Sequence, residues 1–291
     1  MTLRNLRIFL AVADCGSMSE AAKRMHIAQP SVSGTIAEIE DQYGVRLFER
    51  LGRRLYITET GLQLCDYARH IVSMYDEMEL KLKNADESDN LRIGATVTVG
   101  NCMIGALIRH YMQDTQNKAP QVVVHNTRYI EQKLLKSELD IAIVEGRIRS
   151  TDLTTQNLVS DPLVLICSPK ANVFGDRTSV QLKELYEVPF IVREEGSGTR
   201  ELVENAIPYI NAKWVCNNSE AILRAVDMGF GMAVISRRLA ADWLKSGRVI
   251  EIQVEDASFE RQFSLVWHKN KYQNRSMEQF IDTCRIYAGD M

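Results

Sequence analysis

No apolar run in the 291 residues approaches the roughly 20 that a bilayer-spanning helix requires. Enzyme signatures are missing too: no G-x-S-x-G elbow, P-loop or H-E-x-x-H occurs, so no catalytic residues are assigned. The five histidines, His26, His70, His110, His125 and His268, are isolated from one another and read as structural. The six cysteines form no C-x-x-C pair and have no histidine at zinc-ligand spacing, so neither a metal nor another cofactor is expected. Most lie in apolar surroundings, as in a reduced, cytoplasmic protein; a redox-sensing cysteine is the alternative. The chain also lacks a basic excess. Its formal net charge of −3 excludes a wholly basic nucleic-acid coat protein but leaves room for a small DNA-binding module. The apolar stretch near the N-terminus is interrupted by Asp14 and reads as a core helix, with Leu3, Leu6, Phe9, Leu10 and Ala13 inward, rather than an export signal.

What is present begins with two short helices at Ser17–Tyr43. Ser17 with Glu20 three residues on is a helix start, and Ala21, Ala22 and Met25 make a small apolar face. Pro30 fits only a first helical turn, so a second helix begins near Gln29. Val32, Ile36, Ile39 and Tyr43 predict its buried stripe, and Gly44 its stop. The opposite face carries Ser31, Ser33, Gly34 and Thr35, with Glu38, Glu40 and Asp41 held toward the C-terminal end. Small hydrogen-bonding side chains near the N-terminus and no carboxylates there suit insertion into a major groove. An ordinary helical hairpin fits these features equally well. A glycine-interrupted alternation at Leu55 and Ile57 then predicts a two-stranded wing carrying Arg46, Arg50, Arg53 and Arg54, suited to phosphate contact.

The ordered motifs across these positions resemble the winged helix-turn-helix of LysR-type transcriptional regulators. They are L-R-x-F-L-A-V-A from Leu6, G-S-x-S-x-A-A from Gly16, Q-P-S-V-S-x-x-I from Gln29, G-V-x-L-F-x-R from Gly44 and T-x-x-G from Thr58. The family commonly has Arg-Gln after the second serine of its recognition helix, whereas this chain has Gly34-Thr35. A glycine inside a helix costs about 1 kcal/mol relative to alanine, and close approach to DNA is the compensation inferred for Gly34.

Leu64, Ala68, Ile71, Tyr75, Met78 and Leu82 recur at alternating steps of four and three, the spacing of a dimerisation seam. The other reading is a helix packed on its own domain. Asn84 to Asn90 is short, polar and acidic, as in a hinge. Strands and helices then alternate. Strands are predicted at 91–96, 121–124, 139–144, 163–167, 189–192, 213–216, 232–235 and 263–267. Helices are predicted at 101–112, 130–136, 180–186, 199–207, 219–228 and 276–287, which implies parallel sheets covered by helices. The resemblance makes this a two-lobed effector domain of periplasmic-binding-protein type, with chain crossings near Ser160 and Phe263.

Within it, Arg193 to Arg200 (REEGSGTR) follows a predicted strand and opens a helix. Its glycines permit close backbone approach, Ser197 and Thr199 supply hydroxyls, and the helix amides favour an anion. Thr96, Thr98, Gly100 and Asn101 form a similar strand-to-helix turn. Either motif alone is only a helix start; together they predict a small-anion site. R-E-x-G-S-G-T-R and Val144-Glu145-Gly146 also resemble the LysR-type subset that controls sulfur assimilation or carbon fixation. That resemblance puts Glu145 near the cleft and implies an inorganic oxyanion or small carboxylate as effector. Arg200 points either at that ligand or at Glu204, one turn on.

The expected fold is thus an N-terminal all-α winged helix-turn-helix with a long linker helix, followed by a C-terminal α/β two-lobed domain of the type 2 periplasmic-binding-protein class. The boundaries are 1–60, 61–89 and 90–291, with one lobe from residues 90–160 and 268–291 and the other from 161–267. Gln29, Pro30, Ser31, Ser33, Gly34, Thr35, Arg50, Arg53 and Arg54 are the expected DNA contacts. Thr96, Thr98, Gly100, Asn101, Glu145, Ser197, Gly198, Thr199 and Arg200 are the expected effector contacts. The implied partners are double-stranded operator DNA, a small anion, further copies of the chain in a dimer of dimers, and RNA polymerase; no membrane is expected. A solute-binding protein without a DNA role is a competing reading of residues 91–291, but it leaves residues 1–83 without use.

Overall fold

The computed structural model describes residues 1–51, 54–83, 91–115 and 118–290. It divides into two compact units, 1–87 and 88–291.

The first unit holds α1 (Leu3–Cys15), α2 (Met18–Met25), α3 (Gln29–Tyr43), β1 (Phe48–Leu51), β2 (Arg54–Ile57) and α4 (Glu59–Lys83). Local chemistry sets its boundaries. The Thr2 hydroxyl accepts from the Asn5 amide at the start of α1, and the Ser17 hydroxyl accepts from the Glu20 amide at the start of α2. Gly16 and Gly44 end α1 and α3 in the left-handed conformation, with φ of 59° and 65°. Leu6, Phe9, Val12, Ala21, Ala22, Val32, Ile36 and Ile39 form the core. Tyr43 does not join them. It is 53% exposed, because α3 has run past the last helix it packs against. Glu40 is buried instead and accepts from the Leu47 and Phe48 amides at 2.7 and 3.2 Å and from Arg46 at 3.0 Å. This carboxylate anchors the base of the β1–β2 wing, whose strands pair antiparallel. Gly52 and Arg53 lie outside the described residues. So does the hinge expected at 84–90.

The second unit contains β3 (Arg92–Thr96), α5 (Val97–Cys102), α6 (Ile104–Thr115), β4 (Gln121–His125), α7 (Thr127–Leu135), β5 (Ile141–Val144) and β6 (Leu153–Cys167). Next come β7 (Ser179–Val180), β8 (Pro189–Arg193), α8 (Gly198–Ala206), β9 (Asn211–Cys216) and α9 (Ser219–Asp227). The chain continues through β10 (Ala233–Ser236), α10 (Arg237–Lys245), β11 (Ile250–Val254), β12 (Glu260–His268) and α11 (Arg275–Tyr287). Strand order is β4-β3-β5-β12-β6-β11-β7, with β10 also on β6 and a separate β8-β9 pair.

The sheet is mixed, not wholly parallel. β3 runs parallel to β4 and β5, but β12 is antiparallel to β5 and β6. The reason is that two strands carry the chain between lobes. The first half of β6 pairs with β12, and its last residues pair with β10 and β11. The register shifts between Phe263 and Ser264 where β12 makes the same passage. β5 is buried on both faces, whereas β4 and most of β9 are exposed. Ile141 and Ile143 of β5 enter one core, and Ala142 and Val144 enter another.

Several expected elements differ. The helix expected at 101–112 is two helices, α5 and α6, broken at Met103. Residues 180–186 form the end of β7 and a short 3₁₀ turn at Leu182–Leu185, because the segment is amphipathic over too few residues to hold an α-helix. β7, β11, α10 and the first half of β6 had no matching expectation.

Candidate functional site

In the first unit, α3 exposes Gln29, Pro30, Ser31 and Gly34, with Ser33 and Thr35 half-buried beside them. Its buried stripe of Val32, Ile36 and Ile39 holds this face outward. The Ser33 hydroxyl donates to the Pro30 carbonyl at 3.2 Å. An added Cβ at Gly34 would meet no atom of the chain within 4 Å, so nothing in the fold itself requires glycine there. Arg50 and Arg54 stand on paired wing strands in register with Leu55 and Leu51.

The seam on α4 divides in two. Ala68 is fully buried and Leu64 packs partly against the same core, so both face their own unit rather than a partner helix. Ile71, Tyr75, Met78 and Leu82 are exposed, together with Tyr67 and Met74.

In the second unit the starts of α5, α7 and α8 come together between the lobes. Thr96 and Ser197 occupy the residues before α5 and α8, yet neither caps its helix through its side chain. Thr96, Thr98, Glu145, Ser197, Gly198 and Thr199 are all buried. Gly198 is there for close approach. A Cβ on it would overlap the Gly146 backbone, and one on Gly146 would lie 2.8 Å from Gly198 Cα. Gly100 and Asn101 do not join this group. Gly100 makes room for Val124, to which an added Cβ would come within 2.6 Å, and Asn101 is exposed. Arg200 donates to Glu204 at 2.7 Å and to the Arg193 carbonyl at 3.3 Å.

Buried charge surrounds the hydroxyls. The Glu145 carboxylate accepts from the Thr98 amide at 3.1 Å and lies 3.9 Å from Arg193 and 3.7 Å from Arg261. Arg261 donates to Asp161 at 2.8 Å, to the Thr199 hydroxyl at 2.6 Å and to the Thr98 hydroxyl at 3.2 Å. The Ser236 hydroxyl donates to Asp161 at 2.5 Å. Arg193 donates to Glu194 at 2.8 and 3.0 Å. Burial alone would raise the Glu194 carboxyl, but those hydrogen bonds and the guanidinium charge bring it below its ordinary value. Sequence reasoning missed Arg261, Asp161, Ser236 and the buried role of Arg193. A lone arginine within an apolar strand (Arg261 before Phe263) was the available signal.

The hydroxyl oxygens of Thr96, Thr127 and Ser197 are buried with no hydrogen-bond partner among the described residues. Leaving such a group unsatisfied costs about 1–3 kcal/mol. Thr127 and Ser197 line a cavity of about 360 Å³ between α7 and α8, with Arg128, Arg147 and Arg200 around them. Arg147 has no acidic partner among the described residues. Arg128 pairs with Glu195 at 2.9 Å and Arg149 with Glu201 at 3.0 Å, both across the cleft.

Two sequence models match this chain: "Bacterial regulatory helix-turn-helix protein, lysR family" over residues 3–62, and "LysR substrate binding domain" over residues 84–288. The chain belongs to the LysR family. It is 32% identical over 288 residues to the HTH-type transcriptional regulator YeiE of Escherichia coli K12, covering 98% of this chain and 97% of that one. It is 31% identical to the RuBisCO operon transcriptional regulator of Allochromatium vinosum, covering 93% and 91%. Among solved structures, ArgP from Mycobacterium tuberculosis superposes with a TM-score of 0.71 at 18% identity, covering 98% and 96%. The regulatory domain of Synechocystis CcmR in complex with 2-PG superposes with a TM-score of 0.63 at 22% identity, covering 69% and 98%. At these identities the two superpositions show the fold.

As a LysR-family member the protein is a DNA-binding transcriptional regulator with an effector-binding domain, and not an enzyme. Among the described residues no helix is long and apolar enough to cross a membrane. Five cysteines are poorly suited to redox sensing. Burial pushes the Cys65, Cys102 and Cys167 thiols up to about 11, and raises Cys216 and Cys284 as well, so little reactive thiolate exists at neutral pH.

Proposed function

We propose that this LysR-type regulator senses a small oxyanion or small carboxylate in the cleft where α5, α7 and α8 begin, and converts occupancy into altered operator binding. The observation that carries the reading is the set of buried hydroxyls of Thr96, Thr127 and Ser197 that have no partner among the described residues, two of which line a cavity with Arg128, Arg147 and Arg200. Hydroxyl donors without acceptors are complementary to a ligand that only accepts, as an oxyanion does. Thr98, Thr199 and the α8 amides add further donors. CcmR, recorded with 2-PG on the same fold, is in keeping with a small effector.

DNA recognition in this reading belongs to the exposed face of α3 from Gln29 to Thr35, with Arg50, Arg53 and Arg54 of the wing on phosphates. The exposed stripe of α4 pairs two copies, so that two α3 helices reach two half-sites. Such a regulator works in the cytoplasm, beside its operator.

A thermal-shift screen of the full chain against sulfite, sulfate, phosphate and small carboxylates tests the effector class. A gel shift on the DNA upstream of the gene, with and without any stabilising anion, then tests the coupling. An anion that binds yet leaves both affinity and footprint unchanged would refute it.

A further inference from the structure

Beside the cavity that Thr127 and Ser197 line, the two lobes touch across the cleft, and that contact rests on specific atoms. The Arg128 amide of α7 donates to the Gly196 carbonyl at 3.2 Å, and the Asn126 side chain donates to the Glu195 carbonyl at 3.4 Å. Gly146 and Gly198 are in backbone contact. Behind that contact lies Arg261, a side chain of a strand that passes between the lobes. Its Nη2 reaches Thr98 at the start of α5 in one lobe, and its Nη1 reaches Thr199 in the first turn of α8 in the other. Its Nε and Nη2 are both committed to Asp161, at 2.8 and 2.7 Å and at the same level on the neighbouring crossing strand, and the Glu145 carboxylate lies 3.7 Å from Nη2. One guanidinium therefore joins both lobes and the crossing between them.

The two bonds differ in kind from the one to Asp161. Asp161 neutralises Arg261, whereas Thr98 and Thr199 merely accept from it. Each threonine oxygen that accepts from the guanidinium turns its own proton elsewhere, and neither hydroxyl donates to an acceptor among the described residues. An oxyanion placed between the two threonines would take Arg261's Nη protons and both hydroxyl protons at once. While Gly146 and Gly198 touch, Arg261 itself occupies the position between the two threonines.

We propose that Arg261 is both the tie that holds the lobes together without effector and the cation that receives the anion, which enters by taking Arg261's hydrogen bonds from Thr98 and Thr199 and wedging the lobes apart. This deepens the anion-sensing reading and rests on it. It makes effector occupancy and lobe separation one event, with Asp161 keeping Arg261 in place throughout. Because the ligand prefers the open arrangement, it shifts the population toward it.

The test is hydrogen exchange at the Arg128 amide in the full chain, since that amide bonds only across the cleft. Without effector, Thr199→Val and Arg261→Gln are expected to speed its exchange at least about tenfold, the scale of a lost hydrogen bond to a charged group. Arg261→Gln leaves Asp161 buried without its cation; if that variant does not fold, Thr199→Val carries the test, because it keeps the Arg261–Asp161 pair. Unchanged exchange in Thr199→Val overturns the tie. With saturating sulfate or sulfite, the wild-type Arg128 amide is expected to exchange faster; slower exchange means the lobes close on the anion and overturns the wedge. If no anion stabilises the protein, the anion-sensing reading fails on its own, and the effector-free comparison still decides whether Arg261 ties the lobes.

Discussion

Gly146, just past β5, and Gly198, the first residue of α8, touch backbone to backbone across the cleft, and a methyl on either would enter the other's van der Waals space. The obstructing atoms are main chain, which cannot yield as a flexible side chain can. Gly198→Ala is therefore expected to destabilise the closed domain by about 1–3 kcal/mol, the usual penalty of overpacking. Thermal denaturation of the full chain measures this, and an unchanged midpoint would mean the two segments are not in contact.

Ser197→Ala should separate stability from binding. Its hydroxyl is buried without a partner, so removing it relieves an unsatisfied polar group and leaves the effector-free protein as stable or slightly more so. Anion affinity is expected to fall by roughly ten- to a hundredfold, the value of one hydrogen bond to a charged ligand. Calorimetry with the tightest anion from the screen reads the difference, and equal affinity in both proteins would remove Ser197 from the site.

Gly34 lies on the exposed face of α3 with open space around it. Gly34→Ala is expected to stabilise the helix by about 1 kcal/mol. If the glycine serves close approach to DNA, the same change weakens operator binding. A variant that gains stability and keeps operator affinity in a gel shift would assign Gly34 no role at the DNA.

Ile71 and Tyr75 lie in the middle of the exposed apolar stripe of α4. Ile71→Asp would bury an unpaired carboxylate in a paired interface and should weaken self-association by roughly two orders of magnitude. Sedimentation velocity checks this; an unaltered oligomer would move the interface elsewhere.

Asp140 supplies a pH signature. It accepts from the Arg92 backbone and side chain at 2.8, 3.1 and 2.6 Å and pairs with Lys271 at 2.9 Å. Burial alone would raise its carboxyl, but Arg92 and Lys271 together hold it below the ordinary carboxylate value. A carboxyl depressed in the folded state stabilises it above the unfolded value of about 3.9, and this contribution is lost as pH falls through the lower folded value. Asp140→Asn should therefore reduce stability by about 3 kcal/mol near neutral pH, where Arg92 and Lys271 lose this carboxylate. The deficit should shrink as the wild type is acidified below about pH 4. Denaturant melts at several pH values measure both effects, and a deficit independent of pH would contradict the assignment.

Much of the architecture is legible from local pattern. The α3 stripe, the Pro30 start and the Gly44 stop are encoded within 15 residues, because helix periodicity and end chemistry are local properties. Half of the α4 seam is misread for the complementary reason: a four-three spacing marks an apolar stripe but not what covers it, and Ala68 and Ile71 meet different surroundings. The cradle is read in part. Thr98, Glu145, Ser197 and Thr199 each sit in a recognisable turn, whereas Gly100 serves Val124, a contact 24 residues away in the chain.

The resemblance to LysR-type regulators implied the DNA-reading module and the two-lobed effector domain, while sequence pattern alone determined the helix pair, the alternation of strands and helices and the hydroxyl-rich turns at helix starts. These follow from residue order over short stretches, where hydrogen-bonding capacity and apolar spacing suffice. Only the tertiary structure decided that Arg261, 163 residues from Thr98 and 62 from Thr199, stands between those turns. A single arginine in an apolar strand carries no local mark of its partners. Two chain crossings bring Asp161, Thr98 and Thr199 around it, and the energetic demand to satisfy a buried guanidinium makes that arrangement specific.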